Sequence, residues 1–153
     1  MNFFVIFFAD YAIFLLFGML PLLWFAKSRE LALHAFLSAL TAWAISKFLK
    51  DFFYTPRPFL ISGLTPLVKY SSDGSFPSNH TAAAFAIAIT VFLHHRRLGI
   101  ILIILALLIG ISRIFGGVHY PIDIIGGAAI GSLIAWSVSH LHPSWLLKKL
   151  NFK

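Results

Sequence analysis

The sequence predicts an all-α integral membrane protein, a bundle of five transmembrane helices with one longer loop at one end. Hydrophobic residues make up 59% of the 153 residues, charged residues make up only 11%, and the mean hydropathy is +0.90. A soluble domain of this length needs more charge to cover its surface. The apolar runs, such as Leu98 to Ile111, are continuous rather than alternating, which favours helices over a membrane barrel.

The five predicted spans are each close to the length that a bilayer crossing requires. The third is the shortest, is rich in alanine, and gains length from its polar ends. The fifth carries a stripe of small residues, Gly127, Ala128, Gly131 and Ser132, that lets it pack closely on a neighbouring helix or on a second subunit. No internal repeat is evident, so we expect a single membrane-embedded domain over residues 1–153. The spans run, in order, over Phe3 to Ala26, Leu31 to Leu49, Thr81 to His94, Leu98 to Phe115 and Pro121 to Leu141.

Basic residues at the ends of the spans predict the orientation. With five crossings, the cations that follow spans one, three and five lie on one side, which the positive-inside rule makes cytoplasmic. The long loop from Asp51 to Ser78 and the turn from Gly116 to Tyr120 then face outward. The cytoplasmic set is Lys27, Arg29, Arg96, Arg97, Lys148, Lys149 and Lys153, whereas Lys47, Lys50, Arg57, Lys69 and Arg113 are outer exceptions that need a separate explanation.

Composition also excludes several classes of protein. The chain has no cysteine, so it has neither a disulfide framework nor a thiolate metal site. The formal net charge is +7, but the cations are not gathered on one arm. In a membrane protein such cations report topology and contact with anionic headgroups. We therefore expect the bilayer, and no nucleic acid, as a partner.

Three polar segments lie on the predicted outer face. They are "KDFFYTPRP" with Lys50 and Arg57, "PSNH" with Ser78, Asn79 and His80, and "SRIFGGVHYPID" with Arg113, His119 and Asp123. Each has an ordinary explanation when taken alone. The cations can snorkel to the interface, and the serine can cap a helix. Together, however, they supply three cations, two imidazoles, a carboxylate and a helix N-terminus on one face, which is what a phosphate ester needs.

The cations and the helix start suit the binding of phosphate. Arg57 and Arg113 can hold phosphate oxygens through two parallel hydrogen bonds, and Lys50 acts as a compact point charge. Free N–H groups near Asn79 and His80 at the start of the third span add hydrogen bonds and a helix dipole, and the hydroxyl of Ser78 is a further donor.

The two histidines suit different tasks. Asp123 follows His119 by four residues, with Pro121 well placed in the first helical turn. If the helix begins there, Asp123 can hold one ring nitrogen of His119 and leave the other to attack phosphorus. His80 has no carboxylate in its own segment and is the better general acid for the leaving oxygen. A covalent phosphohistidine intermediate follows as a hypothesis.

Metal catalysis is the competing chemistry, because phosphatases often use two divalent ions held by carboxylates. The chain has only five acidic residues. One of them, Glu30, is predicted on the cytoplasmic side, and the others are scattered along the sequence. Asp10 either pairs with a cation of the site or lies in the headgroup region. We expect no metal and no other cofactor, since side chains supply the positive charge.

The three motifs resemble those of the type 2 phosphatidic acid phosphatase superfamily. The wider register over nearly the whole chain is most similar to the undecaprenyl-diphosphatase branch linked to bacitracin resistance. The resemblance implies that Lys50, Arg57, Ser78 and Arg113 bind phosphate. It also implies that His80 is the acid, His119 the nucleophile and Asp123 its partner.

The chain departs from the family pattern at two points. Asn79 stands where the family commonly has glycine, and the resemblance implies that the polyprenyl-diphosphate branch often tolerates a polar residue at this position. The membrane members of the family usually have six spans where this sequence indicates five. We expect an amino-terminal element to account for the difference.

The resemblance favours hydrolysis of undecaprenyl diphosphate to undecaprenyl phosphate and phosphate, a step in recycling the cell-wall carrier. The site is expected on the extracytoplasmic face of the cell membrane, where a lipid phosphate can keep its tail in the bilayer. Phosphatidate, phosphatidylglycerol phosphate and diacylglycerol diphosphate remain alternative substrates, because the motifs bind the phosphate and not the tail. A channel or a receptor for anionic lipid remains the non-enzymatic alternative. The oligomeric state stays open.

Overall fold

The computed structural model describes residues 2–141, and within them the chain folds into five long helices and one short helix without any strand. Four of the long helices are long and apolar enough to cross a membrane, and the fifth, α4, is an apolar helix of 16 residues. The predicted fold class and all five predicted helices are confirmed. The helices are α1 (Asn2–Phe25), α2 (Arg29–Phe52), α3 (Pro58–Ser62), α4 (Asn79–His94), α5 (Arg96–Phe115) and α6 (Pro121–Leu141).

The first helix contains one turn of π-helix, over Phe7–Tyr11. A π turn accommodates one extra residue and is frequent at functional sites. Here it carries Ala9, which is fully buried, and Asp10, which lies next to α5. The turn therefore directs an acidic side chain of α1 toward the interior of the bundle.

The shortest of the five helices lies at the centre of the bundle. Helix α4 packs against α2, α5 and α6, and almost every residue from Thr81 to Val91 is buried. Five of these residues are alanines, and small side chains allow neighbouring helices to approach closely. Because α4 is enclosed by protein, its surface is covered by other helices rather than by lipid.

Helix α6 lies directly against the backbone of α4. A Cβ atom added at Gly131 would lie 2.2 Å from the carbonyl oxygen of Ala82, and one at Gly127 would lie 2.7 Å from that of Ser78. Only glycine permits this approach. The close neighbour that the small-residue stripe predicts is therefore α4 of the same chain.

The turn after α1 and the turn after α4 lie together at one end of the bundle, and the long loop lies at the other end. At one end, the turn from Lys27 to Leu31 and the pair His94 and His95 line a small pocket of about 270 Å³. At the other end, the connection between α2 and α4 folds over the helix ends, where the N–H of Leu67 donates to the carbonyl of Gly116 at 3.0 Å. The predicted cytoplasmic residues Lys148, Lys149 and Lys153 lie outside the described residues.

Candidate active site

The loop end of the bundle contains a cavity of about 470 Å³. Its walls come from the last turns of α2 and α5, the first turn of α4, the π turn of α1, and the loops before α4 and α6. The three polar segments singled out in the sequence therefore meet at one place, as expected. The predicted residues on the cavity wall are Lys50, Arg57, Asn79, His80, Arg113 and His119.

His119 is held from behind by Asp123. Its Nδ1 lies 3.1 Å from Oδ2 of Asp123, and the same oxygen accepts the backbone N–H of Tyr120 at 2.8 Å. Helix α6 begins at Pro121, so the four-residue spacing brings the carboxylate back over the ring, as the sequence predicts. Asp123 is fully buried. The contact engages Nδ1 and leaves Nε2 of His119 for a ligand in the cavity.

The surroundings of His119 keep its ring neutral at pH 7. Burial lowers its pKa, the hydrogen bond to Asp123 opposes that effect, and the charges of Lys50, Arg113 and Arg57 lower the pKa further, to about 4. A neutral imidazole is the form that can act as a nucleophile.

Arg57 is fixed by hydrogen bonds before any ligand arrives. Its Nε donates to the carbonyl of Asp73 at 3.1 Å, Nη1 donates to the carbonyl of Val118 at 3.0 Å, and Nη2 donates to the Asp73 carboxylate at 2.7 Å and to Ser71 at 3.3 Å. Burial alone would raise the pKa of Asp73. Hydrogen bonds from Ser71 and Arg57, together with the charges of Lys50 and Arg57, lower it to about 2. Asp73 therefore stays ionised and keeps the guanidinium in place.

Arg113 is held by hydrogen bonds through its two Nη atoms. Its Nη1 donates to Asp10 at 2.8 Å and to the carbonyl of Ala9 at 3.3 Å, and its Nη2 donates to the carbonyl of Lys69 at 3.1 Å. Its Nε is buried and has no hydrogen-bond partner within residues 2–141. Guanidinium has five N–H donors, so Arg113, which is on the cavity wall, keeps unused donors that suit a phosphate.

Lys50 is buried beneath the loop that precedes α4. Its Nζ donates to the carbonyls of Gly74 at 2.7 Å and Ser75 at 3.1 Å. An ammonium group has three N–H donors. Two of them position the side chain, and the third remains for a ligand.

Ser78 differs from the other predicted residues. Its Oγ accepts the hydroxyl of Thr81 at 3.0 Å and the backbone N–H of Thr81 at 3.5 Å, and its side chain is fully buried. It thus acts as the N-cap of α4 and is not on the cavity wall. By contrast, Oδ1 of Asn79 is buried without a hydrogen-bond partner in the described part of the chain, and Asn79 lines the cavity.

The acidic residues lie far apart along the sequence, but three of the five come together in the fold. Asp10, Asp73 and Asp123 surround the same site, and each pairs with a different basic group. Of the two alternatives predicted for Asp10, the structure shows the pairing with a cation of the site, Arg113. Asp73 was not predicted: it is the single acidic residue well inside the long loop, but its sequence position gives no indication of its partner. Within the described residues no group of three His, Asp or Glu side chains could hold a metal ion.

An apolar groove between α1, α2 and α4 joins the polar cavity. Its upper part, of about 450 Å³, shares Phe14, Trp43, Asn79 and His80 with the polar cavity. Its lower part, also of about 450 Å³, shares Phe17 and Phe36 with the upper part and extends to Trp24 and Ala32. The groove thus runs from the histidines along α1 and α2 toward the other end of the bundle.

Comparisons with known proteins identify the family of the chain. The PAP2 superfamily matches residues 31–146. Bacitracin transport permease protein BcrC of Bacillus licheniformis is 34% identical over 97% of this chain and 72% of its own length. Undecaprenyl-diphosphatase BcrC of Bacillus subtilis is 33% identical over 86% of this chain and 70% of its own length.

Two solved structures have the same fold. LpxE of Aquifex aeolicus superposes with a TM-score of 0.76 and 33% identity over 90% of this chain and 84% of its own. A transmembrane PAP2-type phosphatidylglycerolphosphate phosphatase of Bacillus subtilis superposes with a TM-score of 0.69 and 25% identity over 90% of this chain and 72% of its own. The resemblance indicated by the three motifs is confirmed, and the chain is a multi-pass membrane phosphatase that belongs to the PAP2 superfamily.

Proposed function

We propose that the protein hydrolyses undecaprenyl diphosphate to undecaprenyl phosphate and inorganic phosphate, with residues 1–153 acting as one lipid phosphatase domain. The observation that carries the proposal is the His119–Asp123 pair, whose Nδ1–Oδ2 distance is 3.1 Å, with His119 on the wall of a cavity that Lys50, Arg57 and Arg113 also line. The relative named undecaprenyl-diphosphatase, 33% identical over 86% of this chain, supports the choice of lipid.

In the first step, Nε2 of His119 attacks the terminal phosphorus atom. The bond between this phosphorus and the bridging oxygen breaks, and its electron pair stays on that oxygen. His80 donates a proton to the oxygen, so undecaprenyl phosphate leaves as the monophosphate. Asp123 stabilises the positive charge that develops on the ring of His119. His80 suits the role of acid because it lies at the junction of the polar cavity and the apolar groove.

In the second step, a water molecule attacks the phosphorus of phosphohistidine. His80, which has lost its proton, accepts a proton from this water. The bond between phosphorus and Nε2 breaks, inorganic phosphate is released, and His119 returns to its neutral form. The proton that His80 gave to the leaving lipid is thereby replaced.

The cations of the site provide the electrostatic stabilisation that a metal supplies in other phosphatases. Arg113 offers unused N–H donors, Lys50 offers one N–H, and Arg57 is held in place by Asp73. Positioned donors of this kind stabilise charge on the equatorial oxygens during phosphoryl transfer. The reaction is accordingly proposed to be independent of metal ions.

The site is proposed to face the extracytoplasmic side of the cell membrane. The basic turns between α1 and α2 and between α4 and α5 lie at the opposite end, which is the pattern of cytoplasmic loops. Because the chain has no cysteine, single substitutions can test this. We expect a membrane-impermeant maleimide to label Thr65→Cys in intact cells and Arg97→Cys only after permeabilisation. The reverse pattern would contradict the orientation.

Phosphate release by the purified protein in detergent with EDTA tests the proposed activity. Undecaprenyl diphosphate, phosphatidate and phosphatidylglycerol phosphate are offered in parallel, and His119→Ala is the control. We expect release to be fastest from undecaprenyl diphosphate and absent from the variant. Preference for a glycerolipid would overturn the substrate, a requirement for divalent metal would overturn the mechanism, and no release by folded protein would favour a binding or channel role.

A further inference from the structure

Two lysines on the loop side of the bundle have no part in the mechanism above. Lys47 and Lys69 are both on the wall of the polar cavity. A diphosphate carries a second phosphate group, which stays on the lipid after hydrolysis. The three catalytic-site cations, Lys50, Arg57 and Arg113, surround His119 and serve the phosphate that is transferred, so the second phosphate needs a cation of its own.

Along one face of α2, two basic side chains are followed by two apolar ones. A lipid diphosphate has the same order, with two phosphates followed by an apolar tail. Lys50 and Lys47 line the polar cavity, Trp43 lines both the polar cavity and the apolar groove, and Leu40 lines the groove alone. Residues three and four apart lie on one face of a helix, and three residues advance about 4.5 Å along its axis. Lys47 therefore lies one step from Lys50 in the direction of the groove.

The side chain of Lys47 is free to move to a ligand. Its Nζ lies 3.5 Å from Oδ2 of Asp73, and the side chain is 45% exposed. An exposed pair at this distance contributes little to stability. When Lys47 moves away, Oδ1 of Asp73 still accepts hydrogen bonds from Ser71 and from Arg57, the latter at 2.7 Å, so Arg57 keeps its partner.

We propose that Lys47 binds the phosphate that remains on the lipid, and that it thereby makes the site prefer diphosphates to monophosphates. This inference rests on the proposed function and identifies the class of substrate within it. The tail enters the groove past Trp43, the lipid-linked phosphate meets Lys47, and the terminal phosphate reaches Lys50 and His119. Lys47 also offsets the negative charge that the departing monophosphate gains when the bridging bond breaks.

Lys69 provides a matched control on the same cavity. It carries the same charge but lies on the loop side next to Asp10, where its backbone N–H donates to Asp10 at 3.1 Å. Lys47, in contrast, is on α2, four residues from Trp43, which lines both the polar cavity and the apolar groove. Loss of the Lys69 charge changes the potential of the whole cavity, whereas loss of Lys47 also removes a contact at one particular place.

The test compares farnesyl diphosphate with farnesyl phosphate, which differ only in the second phosphate. We expect Lys47→Met to lower the diphosphate-to-monophosphate ratio of kcat/KM by about tenfold, the lower end for a lost hydrogen bond to a charged group. Lys47→Arg should restore most of the ratio, and Lys69→Met should lower it much less than Lys47→Met does.

Binding of farnesyl methylenediphosphonate and of farnesyl phosphonate, by calorimetry in detergent, gives the same comparison without turnover. A ratio that is unchanged in Lys47→Met, or that falls equally in Lys69→Met, would overturn the role of Lys47. If the protein hydrolyses neither the farnesyl substrates nor undecaprenyl diphosphate, the proposed function fails, and the binding ratio still decides the role of Lys47.

Discussion

The two helix interfaces that flank the site are built in opposite ways. Between α4 and α6, glycines bring the helices so close that a Cβ at Gly131 would lie 2.2 Å from a backbone oxygen. Between α1 and α2, aromatic side chains leave an apolar groove in two parts of about 450 Å³ each. A Cβ at Gly18, on α1, would have no neighbour within 4 Å.

The close interface positions polar groups of the site, whereas the open interface leaves room beside the site for an apolar tail. The close interface carries His80 at the start of α4 and Asp123 at the start of α6, so the distance between the helices fixes these two proposed catalytic groups. The open interface contributes apolar surface that meets the polar cavity at Trp43 and His80. Substitutions on the close side should therefore affect chemistry or folding, and those on the open side should affect the binding of the tail.

Loss of the Asp123 carboxylate should have the largest effect. In Asp123→Asn, an amide replaces the oxygen that accepts from His119 and Tyr120, and the developing charge on His119 loses its counter-ion. We expect kcat to fall by about 10³-fold or more, as for other His–Asp pairs, with little change in KM. Steady-state kinetics measures this, and unchanged helical circular dichroism serves as the control. A fall of less than tenfold would show that Asp123 is dispensable.

A larger side chain at the interface between α4 and α6 should destabilise the fold. In Gly131→Ala, the new methyl group would overlap the carbonyl oxygen of Ala82, and overpacking of this kind costs about 1–3 kcal/mol. We expect a lower Tm in detergent. The matched variant on the open side, Gly18→Ala, should leave Tm unchanged or higher, since it meets no neighbour and alanine favours helix. Equal Tm values for the two variants would remove the distinction between the interfaces.

A larger side chain in the open groove should weaken the binding of substrates with long tails and leave that of short-tailed substrates unchanged. In Ala32→Phe, the phenyl ring occupies the lower part of the groove, which the polar cavity does not touch. We expect KM for undecaprenyl diphosphate to rise by about tenfold, since each buried methylene contributes about 0.8 kcal/mol. KM for farnesyl diphosphate should not change, because its tail ends higher in the groove. An equal rise for both substrates would contradict a tail-binding role.

The smallest expected effect is that of pH on the protonation of His119. Because the pKa of His119 is lowered from 6.5 to about 4, its ring should stay neutral as the pH falls through the range in which an ordinary histidine gains a proton. Protonation should remove the nucleophile only as the pH falls through about 4. An imidazole NMR titration of the free protein measures this, with His119→Gln used to assign the signal. A midpoint at or above 6.5 would contradict the buried, cation-flanked environment.

The sequence predicts the helices well because their apolar runs are long and end in polar or basic residues. It also predicts the polar cavity, because the three motifs follow spans that place them at one end. The pairing of Asp10 with Arg113 and of Asp73 with Arg57 cannot be read from the sequence. These partners are separated by 103 and 16 residues, and they meet only when a π turn and a folded loop bring them together. The N-cap role of Ser78 differs, because its partner Thr81 is only three residues away and the sequence already indicates capping as an explanation for the serine.

In the proposed mechanism His119 carries the phosphoryl group during turnover, and trapping the phosphoenzyme tests this step. Undecaprenyl diphosphate radiolabelled in its terminal phosphate is mixed with the protein in EDTA and quenched with alkali, in which phosphohistidine is stable. We expect radiolabelled phosphate to become attached to the protein at His119. This label should be lost in acid and should be absent from His119→Ala. Sustained release of labelled phosphate with no label on His119 would contradict this step.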